Sequence, residues 1–302
     1  MNPFFKGILY IGIGASSYGV LATFVKLANL KEIHTASLAF SQYLFGFLVL
    51  SILSYLFNFK KKNTNTKLPT NKFSYLKLIL FGSSLGFTSS FYYLSIQYIP
   101  VSVAVILLMQ SIWFGLLYEA ITDPKLFTKN KVIGALIVIV GTFLAVNIFD
   151  ISGRLEWQGI ALGILAAISF TITMISTNRI ALELPNIVRS QYLVLGGLIA
   201  ILLFWNIQII EHFQFNQFIT WGVFLGVFGT ILPPILFNQG FPMVGVGLGS
   251  IIASLELPIS VLSALILLNE SVVWIQWLGI IIILFSVILI NKQHLTFKGK
   301  KL

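Results

Sequence analysis

Residues 251–270 read IIASLELPISVLSALILLNE. From Ile251 to Asn269 the single charged residue is Glu256, and Pro258 follows two positions later. Extended back to Val246, the run is about the 20 residues that cross the hydrocarbon core of a bilayer. Glu256 then lies near the middle of the membrane. An ionised carboxylate there costs at least about 2.5 kcal/mol on insertion scales. Pro258 frees a backbone carbonyl one turn earlier and bends the helix. Such a segment is expected to face a cavity or a partner rather than lipid.

The same kind of run recurs along the whole chain. Of 302 residues, 57% are hydrophobic and 9% charged, where a soluble protein carries about 25% charged residues. Ten spans are predicted, over 5–27, 35–58, 74–97, 101–121, 131–149, 157–178, 190–209, 218–238, 246–268 and 273–291. All are read as helices, because lipid offers no partner to an open backbone. The expected fold is an all-α integral membrane protein with the lipid bilayer as its surroundings. The stretch from Ile8 to Val25 is too long for the core of a typical signal peptide and reads as a retained span.

The net charge of +10 would fit a nucleic-acid partner, but the charges fall at the ends of apolar runs. With the N-terminus inside, sixteen of the nineteen Lys and Arg residues lie on the inner side, leaving Lys26, Lys31 and Arg154 outside. The positive-inside rule therefore puts both termini in the cytoplasm, and the basic charge reports topology rather than a nucleic-acid partner. KKKNTNTKLPTNK at 60–72 reads as a flexible cytoplasmic loop. The chain has no cysteine, which excludes thiol catalysis and cysteine-ligated metal. His34, His212 and His294 are far apart in sequence, so no metal site and no cofactor are expected.

Ten spans are twice five, and five is odd, so two related halves would sit upside down to one another. LSIQYIPVSVAV (94–105) is similar to LFNQGFPMVGVG (236–247), with Gln97 over Gln239 and Pro100 over Pro242. After a short shift, LLMQSI (107–112) lies over ASLELP (253–258), which sets Gln110 over Glu256. Gly134 falls over Gly279. The halves are read as residues 1–150 and 151–302.

Leu255, Glu256 and Pro258, followed by Leu262, Leu267, Leu268 and Glu270, resemble the EamA-type drug/metabolite transporters. So do GASSYGVLATFVK (14–26), the YIPVSVAV turn and the glycine in the last span of each half. The resemblance covers essentially the whole chain. It implies ten helices in two inverted five-helix repeats around a central cavity. It also implies export or exchange of small metabolites, often amino acids, across a bacterial inner membrane. The first half departs from the pattern: it lacks the proline expected at Ile112 and the acidic residue expected near Pro124, with Asp123 and Glu119 nearby instead.

Several residues are candidates for lining the cavity. On a continuous ninth helix, Gly249, Ile252, Ala253, Glu256, Ser260 and Ser263 share one face. Glu256 there is either a proton-coupling group or ligand for a substrate amine, or a protonated hydrogen-bonding residue. The third span offers Gly82, Gly86, Ser89, Ser90, Tyr93 and Gln97, flanked by Tyr92. Gln110 and Trp113 lie deep in the fourth. Tyr18 shares a face with Gly14, Ala22 and Lys26, and Lys26 is read as snorkelling to outer headgroups. Gln42, Thr173, Asn178 and Asn238 are isolated polar candidates, Asn238 doubling as a helix cap. Pro233, Pro234 and Pro258 are hinge candidates. Glu119 and Glu270 are read as solvated or capping, and Gly134 and Gly141 as sites of close helix packing or of contact with a second copy in a homodimer.

No P-loop or H-E-x-x-H motif is present, so an enzyme is not expected. The leading expectation is a secondary transporter of a small-molecule substrate, amino acids or related amphipathic compounds, working by alternating access. A nucleotide-sugar or sugar-phosphate exchanger would want basic residues facing the cavity. A non-transporting scaffold and a channel are the remaining alternatives.

Overall fold

The structure, a computed structural model, describes residues 2–62, 72–99, 101–125, 127–145, 156–268 and 272–298. Most of the loop predicted at 60–72, the 150/151 boundary, Pro100, Arg154 and Glu270 lie outside those residues. Among the described residues the regular structure is entirely helical.

Helix α1 spans Pro3–Leu30. Asn2 starts it, its side chain accepting the Phe4 N–H at 3.2 Å with proline at the first helical position, a favoured N-terminal arrangement. Helices α2 (Thr35–Lys62) and α3 (Lys72–Tyr98) follow. Next come α4 (Val101–Leu108), α5 (Ser111–Thr122) and α6 (Lys129–Ala145). The second half opens with α7 (Trp157–Arg179), α8 (Asn186–Trp205) and the short α9 (Ile207–His212) and α10 (Phe215–Gln217). A long helical stretch then alternates register: π-helix at Phe218–Gly222, α11 (Val223–Leu225), π-helix at Gly226–Ile231, and α12 (Leu232–Val244). Helices α13 (Val246–Ala253), α14 (Glu256–Leu268) and α15 (Trp274–Lys298) complete the chain.

Among the described residues, seven stretches are long and apolar enough to cross a membrane. Of the other expected spans, α3 is long enough but rich in Ser and Tyr, α6 has 17 residues, and α15 contributes a shorter apolar stretch, Trp274–Ser286. Large apolar side chains such as Ile52, Leu80, Leu117, Leu203, Ile210 and Ile281 are exposed on six different helices. In water such surfaces associate; lipid tails cover them.

Small residues let the helices approach closely. On α3, Gly82 and Gly86 meet the backbone of α8 at Leu193 and Gly197. Gly141 of α6 and Gly279 of α15 face each other, and Ser286 Oγ donates to the Gly134 carbonyl at 3.0 Å. The Gly134–Gly141 stripe is therefore filled by α15 of the same chain and is not free for a second copy.

The ninth predicted span is not one helix. It breaks at Ser254–Leu255, and the fourth breaks at Met109–Gln110, the positions that the repeat alignment superimposes to within a residue. The continuous face expected from Gly249 to Ser263 is accordingly split. Gly249 lies under Phe241, while Ser263 Oγ meets Thr23 Oγ1 of α1 at 2.6 Å. In α14 Pro258 occupies the first turn, where its missing N–H costs nothing. The first half breaks without a proline. There Gln110 Nε2 donates to the Ile106 carbonyl at 3.0 Å, while the Gln110 N–H turns to Leu107.

Pro233 and Pro234 sit in the first turn of α12, just after a π-helical stretch. In the π register Pro233 would have been the donor to the Phe228 carbonyl. Ser17 Oγ of α1 takes that place at 2.6 Å.

Two hydrophobic clusters result. One gathers α4–α7 and α12–α15 around the first half of α1; the other gathers α2, α3, α8 and α9 around its second half. Tyr18 and Tyr92 pack against both clusters.

Candidate functional site

Helix α1 serves as a ruler for what lies between the clusters, at about 1.5 Å per residue. Near its start Gly7 meets Gly240, Met243 and Val244. One to two turns on, Ile11 and Gly14 lie against Gly240, Phe241 and Phe237. Ile11, Phe237 and Phe241 are at most 1% exposed and form a packed plug. Tyr18 closes over the plug, edge-on to Phe237 at 5.8 Å and to Phe170 at 6.3 Å.

Above the plug the side chains part into a chamber lined by Tyr18, Leu21, Leu85, Thr88, Ser89, Tyr92, Tyr93, Leu108, Phe170 and Glu256. Its volume is about 60 Å³. At the last turns of α1 a second cavity of about 300 Å³ is lined by Val25, Lys26, Asn29, Thr35, Tyr92, Tyr93, Ile96 and Gln97. Tyr92 and Tyr93 line both, so the larger cavity, here termed the vestibule, adjoins the chamber. The vestibule is of ligand size, and the chamber is narrower than the few hundred Å³ typical of ligand pockets.

Glu256 is the acidic residue of the chamber lining. It opens α14, and its carbonyl lies against Gly19 near the middle of α1. The positive end of the helix dipole supports a carboxylate at that position. Aromatic rings of Tyr18, Tyr92, Tyr93 and Phe170 stand around it. A carboxylate among ring faces suits an ammonium group by charge and by cation–π attraction, and the remaining apolar lining suits a hydrocarbon body.

Of the residues singled out from sequence, Tyr18, Ser89, Tyr92, Tyr93 and Glu256 meet in the chamber. Gln42 is buried behind it, its side-chain oxygen accepting from the Tyr93 hydroxyl at 3.2 Å. Gln110 spends its amide on Ile106, and Trp113 packs against the hydrophobic core. Thr173 bonds Ser84 of α3 at 2.7 Å. Asn178 is half-buried near the end of α7 and lines neither cavity. Ser260 is half-buried one turn past Glu256, its backbone against Gly19. Lys26, expected at the headgroups, lines the vestibule.

Asn238 is tied into a staple below the plug. Pro242 lies inside α12 and leaves the Asn238 carbonyl without its helical donor. Arg189 Nη1 supplies one at 3.0 Å, while Nη2 donates to Thr177 O at 2.6 Å and Nε to Ile180 O at 3.1 Å. Asn238 Nδ2 donates in turn to Ser190 Oγ at 2.9 Å.

Glu119, expected to be solvated or capping, is 2% exposed and not solvated; it pairs with Lys131 at 2.7 Å and caps the first turn of α13 by accepting the Gly247 N–H. His34 and His212, far apart in sequence, stack at 4.0 Å with 19° between their rings. Among the described residues no three metal-binding side chains cluster.

Sequence reading missed Leu85, Thr88 and Phe170. The α3 residues were legible in principle, since 85, 88, 89 and 92 follow the helical three- and four-residue steps. Of the polar face expected on α3, Ser89 and Tyr93 line the chamber and Gln97 the larger cavity, whereas Gly82, Gly86 and Ser90 pack on α8; Trp205 Nε1 donates to Ser90 Oγ at 3.1 Å. Residues 82–86, Gly-Ser-Ser-Leu-Gly, also match the spacing of a hydrolase nucleophile elbow. That motif needs a strand-to-helix turn, and these residues lie within α3.

A search of curated proteins finds no match. A crystal structure of a protein 12% identical superimposes with a TM-score of 0.73 over 94% of this chain and 95% of the other, a likeness of fold. The model of the EamA-like transporter family matches twice, over residues 5–147 and 157–292. With nearly its whole length matched in two units, and with membrane-length helices gathered around a carboxylate-bearing chamber, the chain belongs to the EamA-like transporter family of the drug/metabolite transporters.

Proposed function

We propose that the protein is a secondary transporter of small amphipathic amines, amino acids foremost, working by alternating access in a bacterial inner membrane. Both termini lie in the cytoplasm, so the vestibule opens outward and the plug closes the inner side. The observation that carries this reading is Glu256. It sits mid-way along α1, at a break in a membrane helix, in an aromatic chamber reached from one end and plugged at the other.

Ten spans form two inverted five-helix repeats, about 1–150 and 151–302, in this reading. The packing supports it, because exchanging the halves maps contacts onto contacts. Helix α1 packs on α12 as α7 packs on α3, and α1 packs on α13 and α14 as α7 packs on α4 and α5. Helix α6 meets α15, and α2 meets α8, each pair mapping onto itself. Discontinuous helices at the repeat interface are a common way for transporters to build a midplane site. A nucleotide-sugar exchanger fits less well, since no basic residue lines the chamber.

The test is counterflow of a radiolabelled amino-acid panel in proteoliposomes, comparing wild type with Glu256→Gln at two pH values. Flux of at least one amino acid is expected, and in the variant its pH dependence is lost. Folded protein that moves none of the panel would overturn the amino-acid assignment.

A further inference from the structure

The Glu119 carboxylate joins the two matched halves. Oε2 accepts from Lys131 Nζ at 2.7 Å, and Oε1 accepts the Gly247 N–H at 2.8 Å. Glu119 ends α5 and Lys131 begins α6, whereas Gly247 lies in the first turn of α13. The first N–H groups of a helix have no partner within it, and an anion there is favoured by the helix dipole. The chain turns from α12 into α13 at Gly245, whose φ of +85° suits glycine. A Cβ on Gly245 or Gly247 would run into the Glu119 carboxylate. The grip is therefore close-fitting, and both charged side chains are at most 4% exposed.

What Glu119 grips is a rod. All eight residues of α13 are buried, and the rod, about 12 Å long, ends at the turn that presents Glu256. Phe241 of the plug lies against Gly249 in its middle. The end held by Glu119 is the plugged end, beside the start of α1.

We propose that Glu119 and Lys131 form a latch between the halves, positioning α13 and its Glu256 turn and holding the plugged end of the chamber shut. The proposal rests on the transporter reading, in which that end must open once per cycle. Helix α13 cannot swing away while its first turn is bonded to Glu119. Separation would leave a Glu119 oxygen and the Gly247 N–H unpaired in a dry site unless water enters with it. The closed state is therefore held as one of two discrete arrangements.

The natural chain has no cysteine, so a single Thr88→Cys in the chamber reports access without background. In proteoliposomes a membrane-impermeant maleimide is applied to each face in turn. With the latch intact, labelling is expected from the vestibule face only. In Glu119→Leu/Lys131→Met, which leaves no buried charge unpaired and removes the acceptor of the Gly247 N–H, labelling from the plugged face is expected to rise about tenfold, within the usual range of conformational coupling. Glu119→Gln alone keeps an oxygen for the Gly247 N–H and serves as a second variant, with a smaller rise expected. Lys131→Arg, which keeps the charge, is expected to preserve the one-sided pattern. One-sided labelling in a folded variant that lacks the pair would overturn the latch. The assay needs no substrate, so its outcome and that of the counterflow test are independent.

Discussion

At the scale of single residues, the buried polar groups divide by what they touch. Glu256 was legible in sequence because an intramembrane carboxylate is costly and must be housed. Glu119 was not, because its partners are a lysine beyond a turn and a backbone N–H from the other half of the chain. Arg189 was read only as a topology marker, yet it serves carbonyls on α7 and α12. Its removal by Arg189→Met strands the buried carbonyls of Thr177 and Asn238 and the part-buried carbonyl of Ile180. At about 1–3 kcal/mol for each unpaired group, a loss on the order of 3 kcal/mol or more is expected. The check is a thermal melt in detergent. In a Pro242→Ala background the loss should shrink, since the restored N–H can serve the Asn238 carbonyl.

Titration at the vestibule end also belongs to this scale. Burial, and secondarily the neighbouring His212, hold the His34 pKa below 6.5, with Glu211 pulling the other way. His34 Nδ1 also accepts the Ala36 N–H at 3.2 Å, capping the start of α2. The stacked form binds a proton less well than a free imidazole. The stack is therefore intact above about pH 6.5 and is lost as pH falls through the lowered value. NMR titration of labelled histidine should find His34 titrating below 6.5 and moving upward in His212→Ala. A His34 that titrates identically in both proteins would contradict the pairing.

At the scale of elements, the two helix breaks matter most. Pro258 made a bend in the ninth span readable, but the matching break in the fourth has no proline signal. It depends on a side-chain amide taking the place of a backbone donor, which no residue pattern marks. Gln110→Leu removes that donor and lets α4 and α5 straighten. The initial rate of counterflow is expected to fall about fivefold, equivalent to about 1 kcal/mol for one hydrogen bond, with folded protein retained. Pro258→Ala should do less, because the Leu257 N–H still bonds the Ser254 carbonyl at 3.0 Å. The polar face of α3 divides between cavity lining (Ser89, Tyr93, Gln97) and packing on α8 (Gly82, Gly86, Ser90) for a related reason. Glycine and serine serve close packing and cavity lining equally well, and only the position of α8 decides between them.

At the scale of the whole molecule, a multi-pass membrane fold is readable from apolar length, and seven membrane-length stretches stand among the described residues. The meeting of α1, α3, α7 and α14 at one chamber is not readable, because it depends on how the two halves interlock. In the proposed transport cycle that meeting sets the Glu256 carboxylate at mid-depth beside the substrate. A hydrophobic carbodiimide, which couples to carboxyl groups in apolar surroundings, tests it most directly. Mass spectrometry of treated proteoliposomes should locate the adduct on Glu256, and counterflow should fall in proportion to labelling, with no further loss in Glu256→Gln. Full counterflow in protein whose Glu256 carries the adduct would contradict the account.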